Sequence, residues 1–144
     1  MPAEPFSGTW ELNVAASTLP FPAPRSVVLR IEVNGDRVTL VEDTVSSIGE
    51  SENSKIEAKF DDEMHPIIGS GIADGFAIRR VNSHEWRTQG FKAGVNVFSA
   101  ALVLSDDEQS FREFGETTLA DGRRAAVSLI YERHEDGASA NGSQ

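Results

Sequence analysis

Apolar and polar residues alternate in short runs from one end of the chain to the other, the period of strands that bury one face. Stretches of helical period are nearly absent. The runs predict strands at 6–12, 26–33, 37–46, 54–60, 65–68, 76–81, 85–91, 95–104, 110–119 and 124–133. Between them stand residues that tolerate a positive φ or bond their own backbone: Asn34-Gly35-Asp36, Asn82-Ser83, Lys92-Ala93-Gly94, Ser105-Asp106-Asp107 and Ala120-Asp121-Gly122. Each joint is short enough for a hairpin, so consecutive strands form an antiparallel meander. Strands in this number either pack as two sheets or curl shut, and closure removes the sticky edges. The expected fold is all-β, an antiparallel up-and-down β-barrel of about 8–10 strands.

One segment breaks the pattern. Asn13 caps a single helical turn through Val14, Ala15 and Ala16, and Pro20, Pro22 and Pro24 forbid any continuation, so residues 13–25 read as a stiff crossing segment after the first strand. At 144 residues the chain is one domain, assigned to 1–135, and buries roughly two thirds of its unfolded surface without a staple. Residues 136–144 are small and polar and are expected to form a disordered tail.

The absence of cysteine excludes disulfides, thiolate metal sites and a cysteine nucleophile. The formal charge is −10, and no basic cluster exceeds the pairs Arg79-Arg80 and Arg123-Arg124, so nucleic acid and anionic membrane are poor partners. The start, Met1-Pro2-Ala3-Glu4-Pro5, has neither a positive nor an apolar signal region, and no apolar run reaches the length of a membrane span; the reading is cytoplasmic. His65, His84 and His134 lack metal-ligand spacing. There is no phosphate loop after a strand, no Gly-x-Ser-x-Gly and no His-Glu-x-x-His, and Gly69-Ser70-Gly71-Ile72-Ala73-Asp74-Gly75 lacks the strand-to-helix setting of a nucleotide site. Neither metal nor cofactor is expected.

The opening Phe6-Ser7-Gly8-Thr9-Trp10-Glu11-Leu12 resembles the first strand of the calycins, the superfamily of lipocalins and fatty-acid-binding proteins, whose Gly-x-Trp stands at that place. Ile130-Tyr131-Glu132-Arg133 resembles the last strand of intracellular fatty-acid-binding proteins. Phe60-Asp61-Asp62, His65-Pro66-Ile67-Ile68-Gly69, Leu104-Ser105-Asp106 and Ala120-Asp121-Gly122 are similar to a bacterial lipocalin-like family of single-domain proteins, the likeness covering most of residues 5–135. The resemblance implies a barrel with a ligand-binding lumen. Two departures accompany it. The proline-rich segment leaves no room for the helix pair that lids fatty-acid-binding proteins, and Leu129 stands where their carboxylate-gripping arginine would be.

Tyr131 shares a strand face with Ala125, Val127 and Leu129, so it points inward and its hydroxyl meets either a ligand or a core partner. A ligand carboxylate taken into an apolar lumen without a cation costs several kcal/mol. A mostly apolar, largely uncharged ligand therefore fits better, unless Arg80, on the face of Phe76 and Ile78, supplies charge; the alternative is that Arg80 reaches water or stacks on Trp10 at the barrel end. In Phe111-Arg112-Glu113-Phe114-Gly115-Glu116 alternation fails, leaving the parity open. An inward Glu113 is a candidate acid or base, against a satisfied polar network or an exposed stretch. His65 is a second candidate if it lies at the mouth, against a solvated loop histidine. Trp86 with Thr88 and Gly90, Phe98 with Ala100 and Leu102, and also Phe114 and Leu129 are candidate pocket residues or plain core. Residues 95–104 are apolar on both faces, which suggests a homodimer through that strand.

Three functions are consistent with these features. The first is binding of a small hydrophobic molecule in the lumen. The second is a cofactor-independent lyase or isomerase in which Glu113 or His65 moves a proton and Tyr131 or Arg80 holds an oxyanion. The third is a filled barrel with a structural role.

Overall fold

Hydrogen bonding between the first and last strands closes the sheet on itself. In the computed structural model, which describes residues 4–134, ten antiparallel strands follow in chain order: β1 (Gly8–Leu12), β2 (Ser26–Asn34), β3 (Arg37–Val45), β4 (Ser51–Lys59), β5 (His65–Ile68), β6 (Gly75–Asn82), β7 (Glu85–Lys92), β8 (Val95–Leu104), β9 (Ser110–Thr118) and β10 (Arg124–Arg133). Each pairs with its sequence neighbours, and β1 pairs with β10 through Trp10↔Arg133 and Leu12↔Tyr131, making a closed up-and-down barrel. The only helix among the described residues is the 3-10 turn Val14–Ala16, too short to cross a membrane, and Asn13 caps it by accepting from the Ala16 N–H at 3.1 Å. The tail expected at 136–144 lies outside the described residues.

Two boundaries differ from the sequence reading by more than one residue. The first strand begins at Gly8 rather than 6, because Phe6 turns into the barrel end as a plug. β4 begins at Ser51 rather than 54: Ser51, Glu52 and Asn53 are polar on both faces and hide the period, yet they continue the ladder through Val45↔Ser51.

The up-and-down path places the β1–β2, β3–β4, β5–β6, β7–β8 and β9–β10 connections at one end and the remaining connections with the N-terminal segment at the other. The second end is solid. Phe6 stacks on Trp86 at 4.1 Å between ring centroids, Phe60 meets Trp86 at 5.0 Å, and Trp10 meets Phe111 edge-on at 4.8 Å. The Trp10 Nε1–H donates to the Phe6 carbonyl at 2.9 Å, so its burial leaves no unpaired polar group.

Arg133 seals this end. Its guanidinium lies 4.2 Å over the Trp10 ring and donates to the carbonyls of Ser7 (2.9 Å), Pro5 (2.9 Å) and Glu108 (2.8 and 3.1 Å). Gly8 makes this possible: its φ is +138°, and a Cβ there would stand 2.5 Å from Arg133 Nη1. The arginine that stacks on Trp10 is therefore Arg133 rather than Arg80.

Arg133→Ala strands three carbonyls and uncovers Trp10, and it is expected to lower unfolding stability by about 3 kcal/mol. Arg133→Lys should restore only part, since an ammonium cannot reproduce the planar fork. Urea unfolding followed by tryptophan fluorescence measures both; a loss below about 1 kcal/mol for Ala would show that the contact does not hold the seam.

Candidate ligand site in the barrel lumen

Above the aromatic plug the barrel is hollow. An outer chamber of about 490 Å³ opens toward the end of the β1–β2 connection, and an inner chamber of about 130 Å³ lies below it. Glu42, Ile72, Phe98 and Glu113 border both; Ile72, 70 % exposed on the β5–β6 connection, does so at the rim, and Glu42, Phe98 and Glu113 form the waist between the chambers. The interior is thus not filled by side chains.

The outer chamber is walled mainly by apolar residues: Leu12 on β1, Val27 on β2, Phe98 and Ala100 on β8, and Val127 and Leu129 on β10. Leu19, Phe21, Pro22 and Pro24 of the crossing segment line its mouth. Two-way backbone bonds between Thr18 and Ser128 (2.7 and 3.0 Å) fasten that segment to β10, and the Ser17 hydroxyl accepts from the Ile130 N–H at 3.0 Å. Phe98 swings into the lumen over Gly90, where any Cβ would fall on its ring.

Polar groups gather at the waist and just above it. Glu42 extends the inward face of Val38 and Leu40 on β3, with Leu29 and Ser54 beside it on the flanking strands. Glu113 comes from β9, nearly opposite in the ring, between Leu102 and Leu129. Both carboxyls border space wide enough for water and so keep partial exposure, although protein surrounds them on every side. Burial and then the nearby Glu42 carboxylate push Glu113 up to about 7. Glu42 is raised by burial and by Glu52, with the Thr44 hydroxyl opposing. Tyr131, 2 % exposed and stacked on Phe111 at 4.8 Å, borders the outer chamber; burial, Glu42 and Glu113 hold its phenol well above its ordinary value. At the inner chamber, Trp86 Nε1 and Thr88 Oγ1 are buried with no hydrogen-bond partner among the described residues.

The structure brings Tyr131, Leu129, Phe98, Trp86 and Glu113 to the two chambers and leaves three other expected residues outside. Phe114 faces out, because the stacking of Phe111 on Tyr131 takes the inward parity of β9. It lies under Arg112 (4.7 Å) and borders an external groove of about 350 Å³ with Arg79 and Arg87. Arg80 has inward parity but sits at the solid end, 4.2 Å over Phe60 and 3.5 Å from Glu4. His65 is held by Asp61 at 3.0 Å beside the β4–β5 connection, which belongs to the solid end rather than the mouth. Thr88 lines the inner chamber with Trp86, whose strand face it shares, whereas Glu42 is not among the expected residues. The two-residue period did carry Glu42, since it continues the Val38-Leu40 face, but a strand whose second half holds Glu42, Asp43 and Thr44 reads equally well as turning its polar end to solvent. No group of three or more His, Asp or Glu among the described residues is placed to hold a metal.

No protein-family model matches the chain, and no curated protein sequence matches it. Among solved structures the chain is similar to apocrustacyanin C2, at 12 % identity and a TM-score of 0.48, over 91 % of this chain and 62 % of that one. It is also similar to lobster apocrustacyanin A1, at 12 % identity and a TM-score of 0.47, over 97 % of this chain and 73 % of that one. The chain thus spans less than two thirds of the first of these, and no residue role is carried over from either.

Because Glu113 has a higher pKa folded than unfolded, the folded state binds the extra proton and stability falls as pH rises from the ordinary carboxylate range through about 7. Glu113→Gln should flatten that fall and stabilise the protein above neutral pH, by up to about 3 kcal/mol. Thermal melts across the pH range measure it; an unchanged slope in the variant would assign the titration elsewhere.

Proposed function

We propose that the barrel binds a small, mostly apolar molecule, largely uncharged along its body, in the outer chamber, with Tyr131 and Glu113 orienting its polar end. The observation that carries this reading is the cavity of about 490 Å³, open at the mouth and walled chiefly by apolar side chains. Burying about 300 Å² of apolar ligand surface returns roughly 7 kcal/mol, against an association cost of at least about 4. A ligand carboxylate has no margin here, since it would face Glu42 and Glu113 with no lumenal cation among the described residues to meet it.

A second reading rests on Glu113 alone. A buried carboxyl poised near neutrality beside a phenol suits proton transfer, with Glu113 as acid or base and Tyr131 as oxyanion donor, in a cofactor-independent lyase or isomerase. Retained binding with lost turnover in Glu113→Gln would favour it.

The test is titration with the neutral fluorophore N-phenyl-1-naphthylamine, followed by displacement with 1-decanol or decanoate. Saturable binding, better displacement by the alcohol, and an alcohol affinity about fivefold weaker in Tyr131→Phe are expected. Absence of saturable binding would overturn the proposal.

A further inference from the structure

We propose that the ligand carries a basic amine: the lumen takes a small apolar primary amine as its cation, with the ammonium at the waist between Glu42 and Glu113 and the apolar body in the outer chamber. This rests on the lumenal-binding reading and sharpens it.

The charge of the site is of one sign. Every acidic or basic side chain that lines either chamber is acidic, Glu42 and Glu113 at depth and, toward the mouth, Glu52 and Glu116, the last paired with Arg124 at 3.7 Å; no Lys, Arg or His lines them among the described residues. Two carboxyls that reach into one lumen from nearly opposite strands repel each other, and their burial opposes ionisation. A cation with several N–H donors relieves both at once, because it supplies the opposite charge and hydrogen bonds to each carboxylate.

The neighbouring groups fit that occupant. Thr88, 4 % exposed, borders the inner chamber on the inward face of β7, and its hydroxyl has no partner among the described residues. A hydroxyl oxygen accepts, so it offers a third ligand to an ammonium held by the two carboxylates. Phe98 at the waist presents an aromatic ring, whose face also attracts cations. The inner chamber, about 130 Å³, accommodates the head group, and the body is left to the apolar walls above.

The experiment displaces N-phenyl-1-naphthylamine from the full chain with three eight-carbon ligands: octylamine, 1-octanol and octanoate. At pH about 8, where Glu113 is ionised and an alkylamine is still protonated, octylamine should displace at a concentration at least about tenfold lower than octanol. At pH about 5 that preference should shrink in the wild type, because Glu113 takes up a proton. Glu42→Gln/Glu113→Gln should abolish the preference while octanol still displaces, with a thermal melt confirming the fold. The amine inference is overturned, and lumenal binding kept, if octanol matches octylamine in the wild type. It is overturned equally if the preference survives in the double variant, which would assign it to the chain's overall negative charge. Both readings fail if the fluorophore does not bind saturably or none of the three displaces it.

Discussion

The guanidinium of Arg133 lies where the two ends of the chain meet, and the integrity of the barrel depends on that meeting. A ten-strand meander without the β1–β10 pairing would expose two long edges. Arg133 is itself on the closing strand, stacks on the tryptophan of the opening strand and holds the carbonyls of Pro5, Ser7 and Glu108 in one fork. Gly8 is required on the same account, since a side chain there would occupy the position of the guanidinium.

With one end sealed in this way, the two halves of the interior differ. Phe6, Trp10, Phe60, Trp86 and Phe111 fill the lower half with ring contacts, and Tyr131 continues the stack to the chamber floor. That half supplies apolar burial enough for the upper half to remain open and to carry two carboxyls, a phenol and an unpartnered hydroxyl. Such groups weaken a fold, and a chain that keeps them inside a cavity uses them for something other than packing.

The architecture was legible because alternation reports directly on half-buried strands, and because turn residues at Asn34-Gly35, Ala93-Gly94 and Asp121-Gly122 mark the hairpins. The site was legible only in part. Parity along a strand says which face a residue occupies but not how far along the barrel it sits, so the sequence leaves Arg80, on the inward face, open between the lumen and the barrel end, and the structure has it at the sealed end. The converse confusion hid the role of Arg133, whose seal requires knowing that Gly8 and Glu108 approach it. In β9 two aromatic residues of opposite parity competed, and only the stacking of Phe111 against Tyr131, a contact between strands, decides that Glu113 points in and Phe114 out. Glu42 shows the limit of single-strand reading: its meaning comes from Glu113 across the ring.

The proline-rich crossing segment bears on how fast the lumen can exchange its contents. Pro20, Pro22 and Pro24 restrict the backbone before folding as well as after it, so seating the strap over the mouth loses little conformational freedom. Affinity is then not drained by ordering a lid. The same stiffness means that the rim cannot widen one residue at a time: to enlarge the open mouth the strap must swing away as a unit, breaking its paired bonds to Ser128 and the Ser17 contact with Ile130. Two ligands of equal affinity would then leave such a barrel at different rates, one that fits the standing mouth without moving the strap and a bulkier one only when the strap gives way.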